Sequence, residues 1–237
     1  MTQFSRRQFL GNSALAAAAA AVTSIPVLGS ELRRPYGAND RLRIAVIGVK
    51  GRGLEHVSQW VKMPDVEIAA ICDIDETVIH DAMTRIEKAS GKKPAYVKDL
   101  RKLYEDKSID AVSVATCNHW HSLAGIWAVQ AGKNAYVEKP ISHNVFEGRK
   151  LVEAGEKYKK VVAVGTQCRS MKGMREAISY LHSGKLGKVK IARGFCYKSR
   201  KSIGKKPNGP APAGVDFDLW LGPAAERSFN ANRFHYN

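Results

Sequence analysis

Residues 42–53 read LRIAVIGVKGRG, and their reading decides the fold. Ile44 to Ile47 form an unbroken apolar run, and glycines follow at 48, 51 and 53. A short run with no polar face marks a strand buried on both sides, as inside a parallel sheet. Leu54, Val57 and Trp60–Val61 then recur at helical spacing, so a helix opens directly after the glycines. A strand, a glycine turn and a helix in that order put the turn at the carboxyl edge of a sheet.

The same alternation continues outward. VEIAAICDID (66–75) predicts a second strand ending at Asp73, with a helix from about 76 to 89. LRKLYED (100–106) predicts a short helix, and IDAVSVAT (109–116) another apolar strand. HSLAGIWAVQAG (121–132) reads as a helix closed by Gly132, since glycine readily takes the left-handed conformation of a helix end. NAYVEKPISHN (134–144) holds a strand at 135–137, stopped by Pro140, which cannot donate to a ladder. A helix at 144–160 and a strand, VVAVGTQ, at 161–167 complete the pattern. Short strand–helix alternation implies right-handed crossovers, so residues 42–167 are expected to form an α/β, Rossmann-like doubly wound parallel sheet.

The rhythm changes after Gln167. Residues 173–189 predict a helix with a glycine exit, and KIARGFCYK (190–198) a strand of mixed pattern. KSIGKKPNGPAPAGVDF (201–217) is rich in Gly, Pro and Lys and reads as a loop, and DLWLGPA (218–224) as a turn or short helix. These elements are too few for a separate core, so 168–237 is expected to be the start of an α/β second domain that is incomplete here.

The first thirty residues carry Ser5-Arg6-Arg7-Gln8-Phe9-Leu10, then an alanine-rich run, small residues and no acid. That is the form of a twin-arginine export signal over 1–30, followed by a polar linker over 31–41. The expected destination is the periplasm or another extracytoplasmic space. The run is too short and too alanine-rich for a strong spanning helix, so no stable membrane span is expected after signal removal. Formal net charge is +16, but the cations are spread, with one denser run at 198–206 and no nucleic-acid motif. A basic surface or a pocket for anionic groups is the expectation, with no nucleic-acid partner. Cys72, Cys117, Cys168 and Cys196 match no zinc spacing and lie in or beside apolar runs, as buried free thiols do; no disulfide and no metal site are expected.

Four sequence features converge on the carboxyl edge of the expected sheet. Gly48, Gly51 and Gly53, with Lys50 and Arg52 between them, suit a turn that lets backbone approach a pyrophosphate at a helix N-terminus. Gly48 and Gly53 hold the outer positions of G-x-G-x-x-G; Lys50 occupies the middle one, with Gly51 beside it to compensate. Asp73 sits where a carboxylate accepts from both ribose hydroxyls of NAD and repels the 2′-phosphate of NADP; taken alone it also suits a helix cap. Lys50 and Arg52 keep NADP open, because either could meet a phosphate. Thr116-Cys117-Asn118-His119-Trp120-His121 is expected to be a cofactor-facing loop or a helix start. Glu138-Lys139-Pro140 holds a lysine at a strand end, where it can move a proton or simply pair with its neighbouring glutamate.

In that order, IGVKGRG, CDID, TCNHWH, YVEKPIS and VGTQCRS make the chain resemble the Gfo/Idh/MocA oxidoreductases over roughly residues 41–237. The resemblance implies an NAD(P)-dependent enzyme that moves a hydride to or from a hydroxyl carbon of a sugar or polyol, with a homo-oligomeric assembly. It implies that Lys139 is the catalytic lysine, and that Glu138 and Pro140 position the chain. Asn118 and His121 would line the cofactor crevice beside Thr116, with Gln167 and Arg169 on the nicotinamide or substrate side. The family also supplies an Asp and a His from its second domain. No D-x-x-x-H spacing follows Arg169, and His235 stands near the end of the sequence. Two alternatives remain: an NAD-dependent, redox-neutral glycoside hydrolase, and a dinucleotide- or sugar-binding protein without turnover.

Overall fold

The computed structural model describes residues 41–234; the expected export signal, most of the linker and His235 lie outside the described residues. Six strands form one sheet: β1 (Leu42–Ile47), β2 (Val66–Cys72), β3 (Ala95–Val97), β4 (Ala111–Val114), β5 (Asn134–Glu138) and β6 (Val162–Gly165). All neighbours are parallel, in the order β3-β2-β1-β4-β5-β6. The chain therefore starts at the centre, winds outward to β3, then crosses back and winds to β6. The doubly wound parallel sheet expected from the sequence is the observed one, and β3, a strand of three residues, is an addition to that reading.

The helices are α1 (Arg52–Trp60), α2 (Ile79–Ser90, entered by a 3₁₀ turn at Glu76–Val78), α3 (Leu100–Glu105), α4 (Asn118–Gln130), α5 (Val145–Tyr158), α6 (Lys172–His182) and α7 (Phe217–Leu221). Strand pleating sorts the apolar run of β1 onto the two sheet faces. Ile44 and Val46 pack with Val57 of α1 and Ala82 and Ile86 of α2. Ala45 and Ile47 pack with Leu103 of α3 and Ala124 and Ala128 of α4. Each buried Val or Ile contributes about 1.5–3 kcal/mol of burial energy, which is why the run carries no polar residue. Lys133 is also fully buried; its ammonium donates to the carbonyls of Asp106 and Ile109, tying the β4 approach to the start of β5.

Beyond β6, α6 forms where helix was expected, but its apolar residues Met174, Ile178 and Leu181 stay exposed among the described residues. The strand expected at 190–198 does not form. Among the described residues no neighbouring strand supplies partners for its backbone, and Ile191, Phe195 and Tyr197 are exposed. Cys168 and Cys196 are likewise exposed rather than buried, while Cys72 is in the core. DLWLGPA contributes the short helix α7. None of the described helices is long and apolar enough to cross a membrane.

Candidate active site

Strand order reverses between β1 and β4, so the loops after these strands diverge and leave a crevice. A cavity of about 680 Å³ opens there. It brings together Gly48, Lys50, Gly51, Arg52, Asp73, Thr116, Asn118, His121, Glu138, Lys139 and Gln167, all singled out from the sequence. Gly53 lies beneath the loop rather than in the lining. Arg169 is exposed and outside the lining, so the structure does not bring it to this cavity.

The glycine loop is closely fitted. Gly48 has φ of 79°, and a Cβ there would stand 2.7 Å from the carbonyl oxygen of Ala115. A Cβ on Gly53 would stand 1.6 Å from the carbonyl oxygen of Gly48. These two positions demand glycine because backbone meets backbone. Lys50 is exposed and needs no such fit. Gly51 precedes α1, whose first turn has no side-chain cap, and a Cβ there would meet nothing within 4 Å. Backbone and helix dipole are thus open toward the cavity at a point suited to a phosphate.

Asp73 also braces this loop. Its carboxylate accepts from the amides of Val49 (2.8 Å) and Asp75 (3.1 Å). Helix capping falls to Asp75, which accepts from the Thr77 amide and hydroxyl. The Tyr96 hydroxyl donates to the Asp73 carbonyl, and burial pushes that phenol up to about 12.

At the β5 end, successive side chains go opposite ways. Glu138 is buried and accepts from Arg52 Nε (2.8 Å), His56 Nε2 (3.0 Å) and the Lys139 amide (3.1 Å). Burial raises its pKa, but these hydrogen bonds outweigh that and hold the carboxyl below its ordinary range. Burial shifts His56 down, against the pull of Glu138, and so favours the neutral ring. Its partners set the tautomer: Nε2–H donates to Glu138, while Nδ1 accepts from the Ser113 hydroxyl at 2.9 Å. Ser113 in turn accepts from Trp60 Nε1 at 3.1 Å. Glu138 therefore does not pair with the Lys139 ammonium. Lys139 is exposed and lines the cavity. The ring nitrogens of His121 lie 2.6 and 3.0 Å from the carbonyl oxygens of Pro140 and Thr116, so this buried ring ties the start of α4 to the Glu138–Pro140 turn.

Glycines fitted to backbone, an uncapped helix end, a carboxylate at the β2 edge and a lysine at the β5 edge together suit a dinucleotide laid across the strand ends. Residues 42–166 match the family model GFO_IDH_MocA, described as an oxidoreductase family with an NAD-binding Rossmann fold. The chain belongs to the Gfo/Idh/MocA oxidoreductase family. It is 29% identical over 174 residues to a glycosyl hydrolase family 109 protein of Shewanella pealeana, an overlap of 67% of this chain and 38% of that one. A second such protein, from Shewanella sp., is 36% identical over 154 residues, or 63% and 34% of the two chains. The chain thus spans about a third of the length of these curated relatives. Among solved structures, myo-inositol 2-dehydrogenase from Lactobacillus plantarum superposes with a TM-score of 0.56 at 22% identity, over 63% of this chain and 43% of that one, and shows the shared fold. A probable dehydrogenase from Thermotoga maritima gives 0.53 at 27% identity, over 62% and 42%.

Sequence reasoning missed two parts of this candidate site. His56 and Ser113 gave no motif signal, although a histidine three residues after the last loop glycine lies one helical turn behind the crevice. Leu219 and Trp220 were read only as part of a turn or short helix, yet both line the cavity.

Proposed function

We propose that the chain is the cofactor-binding part of an exported, NAD-dependent enzyme acting at a hydroxyl carbon of a sugar or polyol. The observation that carries this is the division at the β5 end. Glu138 is drawn inward by Arg52 and His56, while Lys139 stands in the cavity lining with its ammonium unused by Glu138. A nicotinamide dinucleotide bound in the cleft supplies the hydride acceptor or donor. The chain's residues do the rest. Gly48, Gly51 and the first turn of α1 hold the pyrophosphate, and Asp73 takes the adenosine ribose. Thr116 and Asn118 border the middle of the cleft, and Gln167 the Lys139 end. Lys139 Nζ carries the proton to or from the substrate oxygen.

Asp73 favours NAD over NADP, while Lys50, which also lines the cavity, leaves NADP open. Asp73 ends β2 and Glu138 ends β5, with β1 and β4 between. Three strand spacings separate them, roughly 14 Å. Arg52 is committed to Glu138 and so lies far from any 2′-phosphate beside Asp73. Lys98 lines the cavity, but its ammonium pairs with Glu76.

Redox-neutral glycoside hydrolysis is the second reading, favoured by the family 109 relatives at 34–36% identity. We assign residues 168–237 to the start of a substrate-side domain, in keeping with the uncovered apolar residues of α6. Homo-oligomeric assembly and twin-arginine export are part of the same proposal, and fractionation of Arg6→Lys/Arg7→Lys checks the export.

Fluorescence titration of the purified chain with NADH is the first test, with Asp73→Ala as the weakened control. Failure of the folded chain to bind overturns the proposal. For the full-length gene product, a dehydrogenase yields one NADH per substrate oxidised, whereas a redox-neutral hydrolase releases sugar with no net NADH. Lys139→Ala is expected to abolish either turnover while leaving dinucleotide binding in place.

A further inference from the structure

Residues 214–222, GVDFDLWLG, follow the long loop and lie outside the sheet, yet they return to the cleft at one defined end. The amide of Glu76 donates to the carbonyl of Gly214 (3.2 Å), and the amide of Asp216 to that of Ile74 (3.0 Å), around an antiparallel bridge between Asp75 and Val215. The segment is thus stitched to the chain immediately after Asp73. Its far end is held by α4: Trp120 Nε1 donates to the carbonyls of Leu219 (3.1 Å) and Trp220 (3.2 Å), and His119 Nε2 donates to that of Trp220 (2.9 Å). Gly222, at φ of 45°, lies against Trp120 so closely that a Cβ would stand 2.0 Å from the indole. Behind it, Trp220 stacks on Phe217 with ring centroids 5.4 Å apart and packs on Phe234 at 5.8 Å, and Phe229 meets both Phe217 and Phe234.

This aromatic cluster stiffens a segment of only five helical residues. What it presents to the cavity is Leu219 and Trp220, in a lining that also includes Asp73, Ile74 and Leu100. The β2 edge is where a doubly wound sheet receives the adenosine ribose of a dinucleotide. An apolar side chain and an indole there suit a flat, weakly polar base.

We propose that residues 214–222 form the outer wall of the adenine subsite, so that the base is held between this strap and the loops of the sheet. The inference rests on the dinucleotide reading above and adds where the base is gripped and by which residues. A base packed on an aromatic side chain gains the equivalent of about a fivefold to hundredfold in affinity. Part of the cofactor grip then comes from chain outside the sheet, and the nicotinamide end, beside Lys139, is independent of it.

The test is calorimetric titration of the purified chain with ADP-ribose, NAD and nicotinamide mononucleotide. The wild type is expected to bind ADP-ribose and NAD. Leu219→Ala/Trp220→Ala is expected to weaken both by tenfold or more and to leave the mononucleotide unchanged. Leu219→Ala alone keeps the aromatic cluster and should lose affinity in the same selective way, so a folding defect in the double variant does not decide the outcome. Gly222→Val, which drives the strap off Trp120, should mimic the double variant. Unaltered ADP-ribose affinity in Leu219→Ala and in Gly222→Val overturns the strap while the dinucleotide reading stands. Equal losses for ADP-ribose and the mononucleotide also overturn it. Absence of any nucleotide binding by the folded wild type removes both.

Discussion

Replacing Glu138 by alanine tests whether the carboxylate under the Lys139 turn organises the site. It is 3% exposed and holds three donors from three parts of the chain. Removing it strands the His56 Nε2–H and the Lys139 amide. A buried donor without a partner costs about 1–3 kcal/mol. Breaking a fully buried ion pair costs about 3–5 kcal/mol. The Arg52 side chain is 44% exposed, however, and regains water, so its share of that cost is reduced. A net loss of about 2–4 kcal/mol is expected. At about 2–4 °C per kcal/mol for a domain of this size, Tm falls by roughly 10 °C. Glu138→Gln keeps the volume and one acceptor and should lose about half as much. The assay is urea unfolding followed by circular dichroism, comparing midpoints at equal slope. A loss below about 1 kcal/mol for Glu138→Ala would refute the reasoning. Equal losses for Ala and Gln would also refute it, by tracing the effect to something other than the lost volume and acceptors.

Two further predictions follow from the same geometry. Gly53→Ala puts a methyl group against the Gly48 carbonyl, and neither backbone can yield; NADH binding should fall by at least tenfold in a fluorescence titration, whereas Gly51→Ala, which meets open space but has φ of 57°, should lose less. His56 has a folded pKa below its ordinary 6.5, so its contribution to stability is complete above pH 6.5 and is lost as pH falls from there toward the folded value. Glu138, also shifted down, adds a loss of the same sign at lower pH, below the ordinary carboxylate range. Unfolding free energy measured from pH 7 to 5 should therefore decline, and His56→Gln should flatten that decline; an equally steep decline in the variant would rule out His56 as its source.

The sheet was legible because its signal is local. An unbroken apolar run such as Ile44–Ile47 has one stable use, between two helical layers, and the glycines that follow it mark the crossing to α1. Asp73, the start of α4 and Glu138-Lys139-Pro140 were legible as neighbours around one cavity for a related reason: parallel strands all end on one edge, so anything directly after an apolar run faces the same crevice. The mixed run at 190–198 was also read as a strand, and there the reading failed, because a strand needs a neighbour that no local pattern supplies.

What sequence alone determined is therefore the order of the layers and the edge on which the cavity opens. Tertiary structure decided who pairs with whom on that edge. Glu138 could have paired with the adjacent Lys139; the pleat turns it inward to Arg52 and His56, residues 86 and 82 positions away. Asp73 acquires the Val49 amide because β1 and β2 end side by side. Trp220 reaches the cavity about a hundred residues after Trp120, through backbone carbonyls that carry no side-chain signature. Repeats of 2 and 3.6 residues report which face of an element is buried, and contacts at such separations arise only once those faces have closed on one another.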